Sequence, residues 1–156
     1  MSALLALLAA AVFGIPDACA PDSGKSAALV TVHGFKDREG NVRIAIYRAR
    51  EDELLASGLY VQRLDTPVTA NGDMTICAPV PAAGDYVVAA LHDRDANGKF
   101  GAFRDGVGFS RNPRLGLDKP KVEVTQVRLD GVTPMRIELN YLHGLKVGPV
   151  RQKQTR

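Results

Sequence analysis

Apolar and polar residues alternate at every second position in several short segments, and this period constrains the fold of the 156-residue chain more than any other feature. Segment 42–48 places Val42, Ile44 and Ile46 on one face. Segment 135–141 alternates more cleanly still, with its apolar residues on one side and Arg, Glu and Asn on the other. Because successive side chains of a strand point to opposite faces, this period predicts strands with one buried face.

Weaker alternation, interrupted by turn-rich stretches, predicts the remaining strands. These candidate strands span residues 29–35, 74–80, 86–92 and 122–129. About seven short strands with turns between them are typical of a sandwich. We therefore predict an all-β protein with a single antiparallel β-sandwich, in which residues 50–57 offer the one helical alternative.

One long loop is predicted over residues 97–120, which hold five glycines and two prolines and show no sustained period. Loops of this length in small domains are usually functional or mobile. We therefore expect the function of the protein at the edge of the sandwich that this loop forms.

The N-terminal segment is typical of a secretion signal. Residues 3–15 contain no charged residue and consist mostly of Ala and Leu, and the run is too short to cross a bilayer as a helix. We predict a signal peptide within residues 1–20 and a periplasmic or secreted protein with no transmembrane segment. The predicted domain covers residues 28–142, and residues 143–156 form a basic flexible tail.

Cys19 and Cys77 are the candidates for a disulfide, and the signal-peptide cleavage site decides whether it can form. Cleavage after Gly14 keeps both cysteines in an oxidising compartment. Cleavage after Ala20 leaves Cys77 alone. The sequence leaves both alternatives open.

The charge balance argues against a nucleic-acid partner. Twenty Lys and Arg against seventeen Asp and Glu give a net charge of +3, whereas nucleic-acid binding usually needs clustered positive charge. Arg104, Arg111 and Arg114 in the long loop, together with the basic tail, offer contacts for an anionic envelope component. The alternative is that they are ordinary solvated loop residues.

A D-x-D-x-N-G motif directly after the candidate strand 86–92 is typical of a calcium-binding loop. Ca²⁺ takes roughly six to eight oxygen ligands, and alternate positions of a tight loop direct Asp93, Asp95 and Asn97 to one point. Lys99 would add its backbone carbonyl, and Asp105 is the nearest carboxylate that could complete the shell. These five residues are the predicted calcium ligands.

The loop is not an EF-hand, because Arg104 occupies the position of the bidentate Glu and no helices flank the motif. A metal-free alternative is that Asp93, Asp95 and Asn97 form Asx turns that fix the loop through bonds to backbone amides. The two hypotheses differ in where the oxygens of Asp93 and Asn97 point.

Ser110, His92 and either Asp93 or Asp105 would form a catalytic triad only if the fold brought them within hydrogen-bond reach. The sequence around Ser110 lacks the second glycine of a nucleophile elbow. We therefore expect no catalytic residues and no enzymatic activity.

Three segments together resemble the DUF2141 family of exported bacterial proteins. They are G-N-V-R-I-A-I-Y at 40–47, the stretch from 80 to 100 that contains H-D-x-D-x-N-G, and D-G-V-G-F-S-R-N-P at 105–113. The resemblance covers roughly residues 28–142. It implies an immunoglobulin- or transthyretin-like sandwich in the periplasm or at the cell surface, and a family whose activity is not established.

The resemblance also implies that the loop packs back on the sandwich through Phe100, Phe103 and Phe109. The leading hypothesis is an exported, non-catalytic binding or envelope-associated module whose loop is organised with or without Ca²⁺. The alternative is a small periplasmic hydrolase or ligand-binding protein that uses His92 and Ser110 with Asp93.

Overall fold

The computed structural model describes residues 10–150 and consists of two open β-sheets that share one core. In this range the chain forms eleven strands. In chain order they are β1 Val12–Gly14, β2 Ser26–His33, β3 Asn41–Arg48, β4 Gln62–Pro67, β5 Met74–Val80, β6 Gly84–Asp93, β7 Gly106–Phe109, β8 Val127–Leu129, β9 Val132–Glu138, β10 Asn140–His143 and β11 Lys146–Pro149. A 3-10 turn covers Pro16–Cys19 and one helical turn, α1, covers Val122–Thr125.

The predicted all-β class is confirmed, but the strands form a larger arrangement than predicted. The small sheet has the order β1-β5-β2-β9, and the large sheet has the order β11-β10-β7-β6-β3-β4, with β8 added beside the start of β6. β1 pairs with β5, and β2 with β9, in parallel. A single antiparallel sandwich of about seven strands is therefore not confirmed, because alternation identifies a strand without fixing its neighbour or direction.

The core lies between the two sheets and consists of the inward positions of their strands. Val42, Ile44 and Ile46 are fully buried, which confirms the predicted inward face of β3. Val30 of β2 and Ile76 of β5 meet them from the small sheet. This packing fixes which face of each strand points outward.

The segment predicted as one strand over 135–141 is two strands in two different sheets. β9 belongs to the small sheet and β10 to the large sheet. Leu139 lies between them and donates its amide hydrogen to the carbonyl of His33 over 2.9 Å. Ile137, Leu139 and Tyr141 all lie in the core, so the alternation continues through the crossing because both sheets face that core.

The predicted loop and tail each contain a strand. β7 lies inside residues 97–120, where it pairs with β6 and divides the predicted loop in two. β11 occupies 146–149 and pairs with β10, where a flexible tail from residue 143 is predicted. Residues 151–156 of that tail lie outside the described residues. Both strands have only four residues, and two glycines in β7 and a glycine and a proline in β11 interrupt any alternating pattern.

Two further segments differ from prediction in their local structure. Residues 122–129 form α1 and then β8 rather than one strand, because the Thr125 hydroxyl donates to the carbonyls of Lys121 and Val122 and closes a helical turn. Residues 50–57 form turns rather than a helix. No helix among residues 10–150 is long and apolar enough to span a membrane.

β1 lies within the segment predicted as a signal peptide and pairs with the edge of the small sheet. A disulfide joins Cys19 and Cys77. Residues 1–9 lie outside the described residues, and the signal peptide stays a prediction. Cleavage after Gly14 would remove β1 and keep the disulfide, whereas cleavage after Ala20 would remove Cys19 as well.

The large sheet is apolar on its outer face as well as on its core face. Outward side chains of β3, β6 and β7 form a second buried cluster with Leu54, from the β3–β4 connection, and Val122 of α1. The outward members are Ala45, Tyr47, Val87, Ala89 and Phe109. The outer face is thus partly covered by two connecting segments.

Replacing both cysteines by alanine in the full chain should lower the free energy of unfolding by about 2–5 kcal/mol, because the bridge closes a long loop. Its two ends are 58 residues apart in sequence. Urea denaturation with and without a thiol reductant measures the effect. The double variant should not respond to the reductant, and a wild-type midpoint that is equally insensitive would contradict the disulfide.

Candidate binding site on the outer face of the large sheet

Two carboxylates fold the loop between β6 and β7 back on itself. Asp93, the last residue of β6, accepts hydrogen bonds from the amides of Asn97 (3.2 Å) and Gly98 (2.8 Å). Asp105, just before β7, accepts from the amides of Arg94 (3.0 Å) and Gly101 (2.8 Å). Each end of the loop is therefore pinned by a buried acid.

The other predicted calcium ligands are bonded within the same loop. Asn97 turns its carbonyl oxygen to the amide of Lys99 (2.8 Å) and donates its amide nitrogen to Asp95 (3.0 Å). Arg104 forms an ion pair with the same carboxylate at 3.0 Å. The oxygens of Asp93 and Asn97 thus point to backbone amides, as the metal-free alternative requires.

Three of the predicted ligands nevertheless converge. Asp93, Asp95 and Asp105 each offer a carboxylate oxygen within 4.8 Å of the others, and they are the one such group of His, Cys, Asp or Glu side chains among residues 10–150. Carboxylate oxygens suit a hard cation. The hydrogen bonds favour the metal-free turn, and calcium binding by this loop stays a prediction.

The melting temperature of the protein should not change when EDTA is added, because backbone amides already satisfy both pinning carboxylates. Asp93→Ala should lower the free energy of unfolding by about 1–3 kcal/mol in either buffer, since it leaves the backbone amides of Asn97 and Gly98 without their acceptor. Asp22→Asn, in an exposed position outside the loop, is the control. A melting temperature that falls in EDTA and recovers with Ca²⁺ would instead establish the calcium site.

His92 is fully buried and both of its ring nitrogens are bonded. Nε2 lies 2.7 Å from the carbonyl of Glu39, which can only accept, and Nδ1 lies 2.7 Å from the Tyr141 hydroxyl. The Tyr141 oxygen also accepts the amide of Lys36 (3.1 Å), so its own hydrogen is directed to Nδ1. His92 is therefore neutral, with its hydrogen on Nε2.

The electrostatics of this pocket agree with a structural role. Burial lowers the pKa of His92 and raises the pKa of Tyr141 to about 12. Burial alone would raise the pKa of Asp37, but its hydrogen bond and ion pair with Arg94 bring that pKa below its usual value. The hydrogen bond with Asp37 in turn raises the pKa of Arg94. These groups hold fixed protonation states around neutral pH.

Stability should fall as the pH drops below about 6.5, the ordinary pKa of histidine. In that range His92 of the unfolded chain becomes protonated, whereas His92 of the folded protein stays neutral because its pKa is lowered. The loss levels off below the lowered pKa of the folded state. Asp37, whose pKa is lowered, adds its own loss only at more acidic pH. Urea midpoints between pH 7.5 and 5 measure the slope.

His92→Gln should flatten this dependence while retaining hydrogen-bonding capacity at the site. His143→Gln, at an exposed position, is the control and should keep the wild-type slope. An unchanged slope in His92→Gln would contradict this assignment.

The structure does not bring the proposed triad together. Ser110 is buried, donates to the carbonyl of Thr125 (2.5 Å) and accepts the amide of Val88 (3.1 Å). His92 lies four residues from Val88 on β6, or about 13 Å along the strand. Ser110 therefore ties β7 to β6 and α1, and both hydrogen bonds of its hydroxyl are to backbone groups rather than to His92.

The three predicted arginine contacts are not one patch. Arg104 precedes β7 and pairs with Asp95, whereas Arg111 follows β7 and donates to the carbonyl of Glu123 (2.8 Å). Arg114 is exposed further along the same connection. The first two therefore lie at opposite ends of β7.

A cavity of about 590 Å³ lies on the outer face of the large sheet, and we call it the outer cavity. Pockets of this size hold small-molecule ligands in other proteins. Its floor is the outward side of the central strands, at Ala45, Tyr47, Ala89, Leu91, Val107 and Phe109. Its sides come from the two connections around β7 and from the β10–β11 hairpin, at Phe100, Phe103, Leu115, Leu117, Leu142, Leu145 and Val147.

The mouth of the outer cavity is rich in exposed apolar side chains. Phe103 is 91% exposed, Leu145 is 87% exposed and Leu117 is 73% exposed. Phe109 packs into the floor as the family resemblance implies, but Phe100 and Phe103 do not pack back on the sandwich. The loop thus presents two aromatic rings at the mouth.

Several polar groups in the cavity wall are already bonded to the protein, whereas the Tyr47 hydroxyl and the Asp118 carboxylate form no hydrogen bond with the described residues. Arg43 donates to both oxygens of Asp65 and to the carbonyl of Gly98. Lys119 donates to two backbone carbonyls, and so does the side-chain amide of Asn140. With both oxygens of Asp105 also engaged, the wall offers an incoming ligand apolar contact above all.

The sequence analysis did not predict this cavity, although the composition of β6 indicates a strand that is buried on both faces. Residues 86–91 are apolar at successive positions rather than at alternate ones. A strand of this kind is buried on both faces. Because one face of this strand was expected to be exposed to solvent, the apolar outer face of the large sheet was not predicted.

The glycines of the G-x-G-F-S segment have a packing reason. A side chain at Gly106 would overlap the ring of Tyr141, and one at Gly108 would overlap the backbone carbonyl of Glu138. β7 therefore lies close against the crossing between the two sheets. This close approach places Val107 and Phe109 in the cavity floor.

A family model for an uncharacterized protein conserved in bacteria, DUF2141, matches residues 30–136. The chain belongs to the DUF2141 family. The match confirms the resemblance and includes the β6–β7 loop and the cavity floor. β10 and β11, which carry Leu142 and Val147, lie beyond the residues of this DUF2141 match. No curated protein and no solved structure matches the chain.

Proposed function

We propose that this DUF2141 protein is an exported, non-catalytic binding module of the bacterial cell envelope whose outer cavity takes an aliphatic ligand. The observation that carries the proposal is a cavity lined mainly by apolar side chains, in which Arg43, Lys119 and Asn140 are already bonded within the protein. A ligand bound there gains by removing apolar surface from water, roughly 25 cal/mol for each Å². A ligand rich in polar groups would lose its hydration without compensation.

A binding role is supported over catalysis by the bonding of the reactive side chains. His92, Asp93 and Ser110 each make internal hydrogen bonds, and none of them lines the outer cavity. A hydrolase would need a base and a nucleophile within reach of one ligand. No contact of these residues favours the hydrolase alternative.

Export is supported by the disulfide between Cys19 and Cys77, because disulfides persist in oxidising compartments such as the periplasm. We propose a periplasmic or secreted location on this ground. The charges of Arg104 and Arg114 near the cavity would draw the protein towards an anionic envelope component. The loop that carries Phe100 and Phe103 keeps its shape through its own carboxylates, with Ca²⁺ as the untested alternative.

A neutral apolar dye, N-phenyl-1-naphthylamine, should gain fluorescence on binding the full-length protein and should be displaced by dodecanol. Ala102→Trp should weaken dye binding at least about tenfold, because Ala102 is exposed at the cavity and an indole there fills the mouth. Leu142→Glu should do the same by placing a charge in the wall. Fluorescence titration measures both.

Ala82→Trp is the matched control, since Ala82 is equally exposed in the β5–β6 turn and lies outside the cavity. Melting temperatures establish that each variant is folded. Dye binding that is equal in Ala102→Trp and Ala82→Trp would refute the assignment of the ligand to the outer cavity.

A further inference from the structure

Positive charge is concentrated in the segments that supply the mouth of the outer cavity. Residues 99–121 contain six Lys and Arg and two Asp, and residues 142–150 contain one Lys and no acidic residue. Residues 10–98 and 122–141 contain ten Lys and Arg against fifteen Asp and Glu. A mild net charge therefore conceals a basic region on an otherwise acidic protein.

Exposed apolar side chains lie within this basic region. Phe103, Leu117 and Leu145 all border the outer cavity and leave most of their surface in water. Phe103 and Leu145 are each followed directly by a cation, Arg104 and Lys146. Leu117 is followed by Asp118 and then by Lys119, whose ammonium group donates to two backbone carbonyls. Apolar side chains flanked by Lys and Arg are typical of surfaces that insert into the headgroup region of a bilayer.

Most cations of this region have no acidic partner among the described residues. Among residues 10–150, Arg114 and Lys146 take part in no ion pair. These charges are available to an anionic surface.

We propose that the mouth of the outer cavity docks on an anionic lipid bilayer and that the cavity takes an acyl chain from a lipid of that surface. The inference rests on the proposed function, since it names the source and the class of the aliphatic ligand. The exposed Phe and Leu side chains enter the interface, while the cations contact the headgroups. The apolar cavity then opens directly onto the hydrocarbon from which its ligand comes.

A lipid surface explains both features of the mouth, whereas an anionic polysaccharide explains only one. A polysaccharide would pair with the cations but leave Phe103, Leu117 and Leu145 in water. A bilayer pairs with the cations and also buries these three side chains. Charge and apolar exposure coincide on this protein as a bilayer interface requires.

Sedimentation of the full chain with vesicles tests the proposal. Vesicles with equal parts of phosphatidylglycerol and phosphatidylcholine should bind the protein, and pure phosphatidylcholine vesicles should bind it far more weakly. Phe103→Asp should lower the partition coefficient at least about tenfold by removing an inserted ring. Arg114→Ala and Lys146→Ala should each lower it about fivefold, and added salt should weaken binding further.

Matched controls lie on other parts of the surface. Leu59→Asp changes an exposed leucine outside the outer cavity, and Lys25→Ala changes an exposed lysine that lies outside it as well. Both should bind vesicles like the wild type. Equal binding to the two kinds of vesicle, or wild-type binding by Phe103→Asp, would overturn the proposal.

Failure of this inference can be told from failure of the proposed function. The naphthylamine titration reports the cavity in solution, without a bilayer. Dye bound in the outer cavity but no binding to anionic vesicles would refute membrane docking and leave the binding module intact. No dye binding would refute the cavity ligand, whatever the vesicles do.

Discussion

Burial of β6 on both faces is the constraint on which the rest of the structure depends. Val88 and Ala90 face the core between the sheets, while Val87 and Ala89 face outward into the second cluster. β6 also pairs with β3, β7 and β8. A strand with two apolar faces needs cover on each side. The small sheet covers one face completely, and the two connections on the other face leave the outer cavity between them.

The polar motif at the end of β6 is best understood through this arrangement. His92 points into the core and must be neutral and doubly bonded to be buried there. The next residue, Asp93, points to the other side and begins the loop beside the cavity. Asp105 closes the loop from its far end and also lines the cavity. Of the residues that suggest chemistry in the sequence, Asp105 thus lines the outer cavity, while His92 and Asp93 hold the strand end and the loop beside it.

The sequence predicted the strands with one clear inward face, such as Val42 to Arg48, because their period depends only on the core. It could not reveal the crossing at Leu139, since both sheets bury the same side of the chain there. β7 was not predicted because two of its four residues are glycines. They have no side chain to form a pattern, and they leave room for the Tyr141 ring and the Glu138 backbone. Asp93, Asp95 and Asp105 do converge, but their hydrogen bonds depend on backbone amides whose positions are set only by the folded chain. The outer cavity lies on the outer face of the large sheet, which the alternating pattern predicted to be exposed to solvent.

The stability of the sandwich does not require the outer cavity to be filled. The main core is closed between the two sheets and contains fully buried side chains from both, so the folded state does not depend on the outer face for most of its apolar burial. Phe103 and Leu145 can therefore remain in water at a cost that the core offsets. If the proposed ligand binds there, the cavity would discriminate among ligands chiefly by chain length and shape, because most of its lining is apolar. The side chains that line the outer cavity are separate from those of the main core, so they can change without disturbing the packing between the sheets.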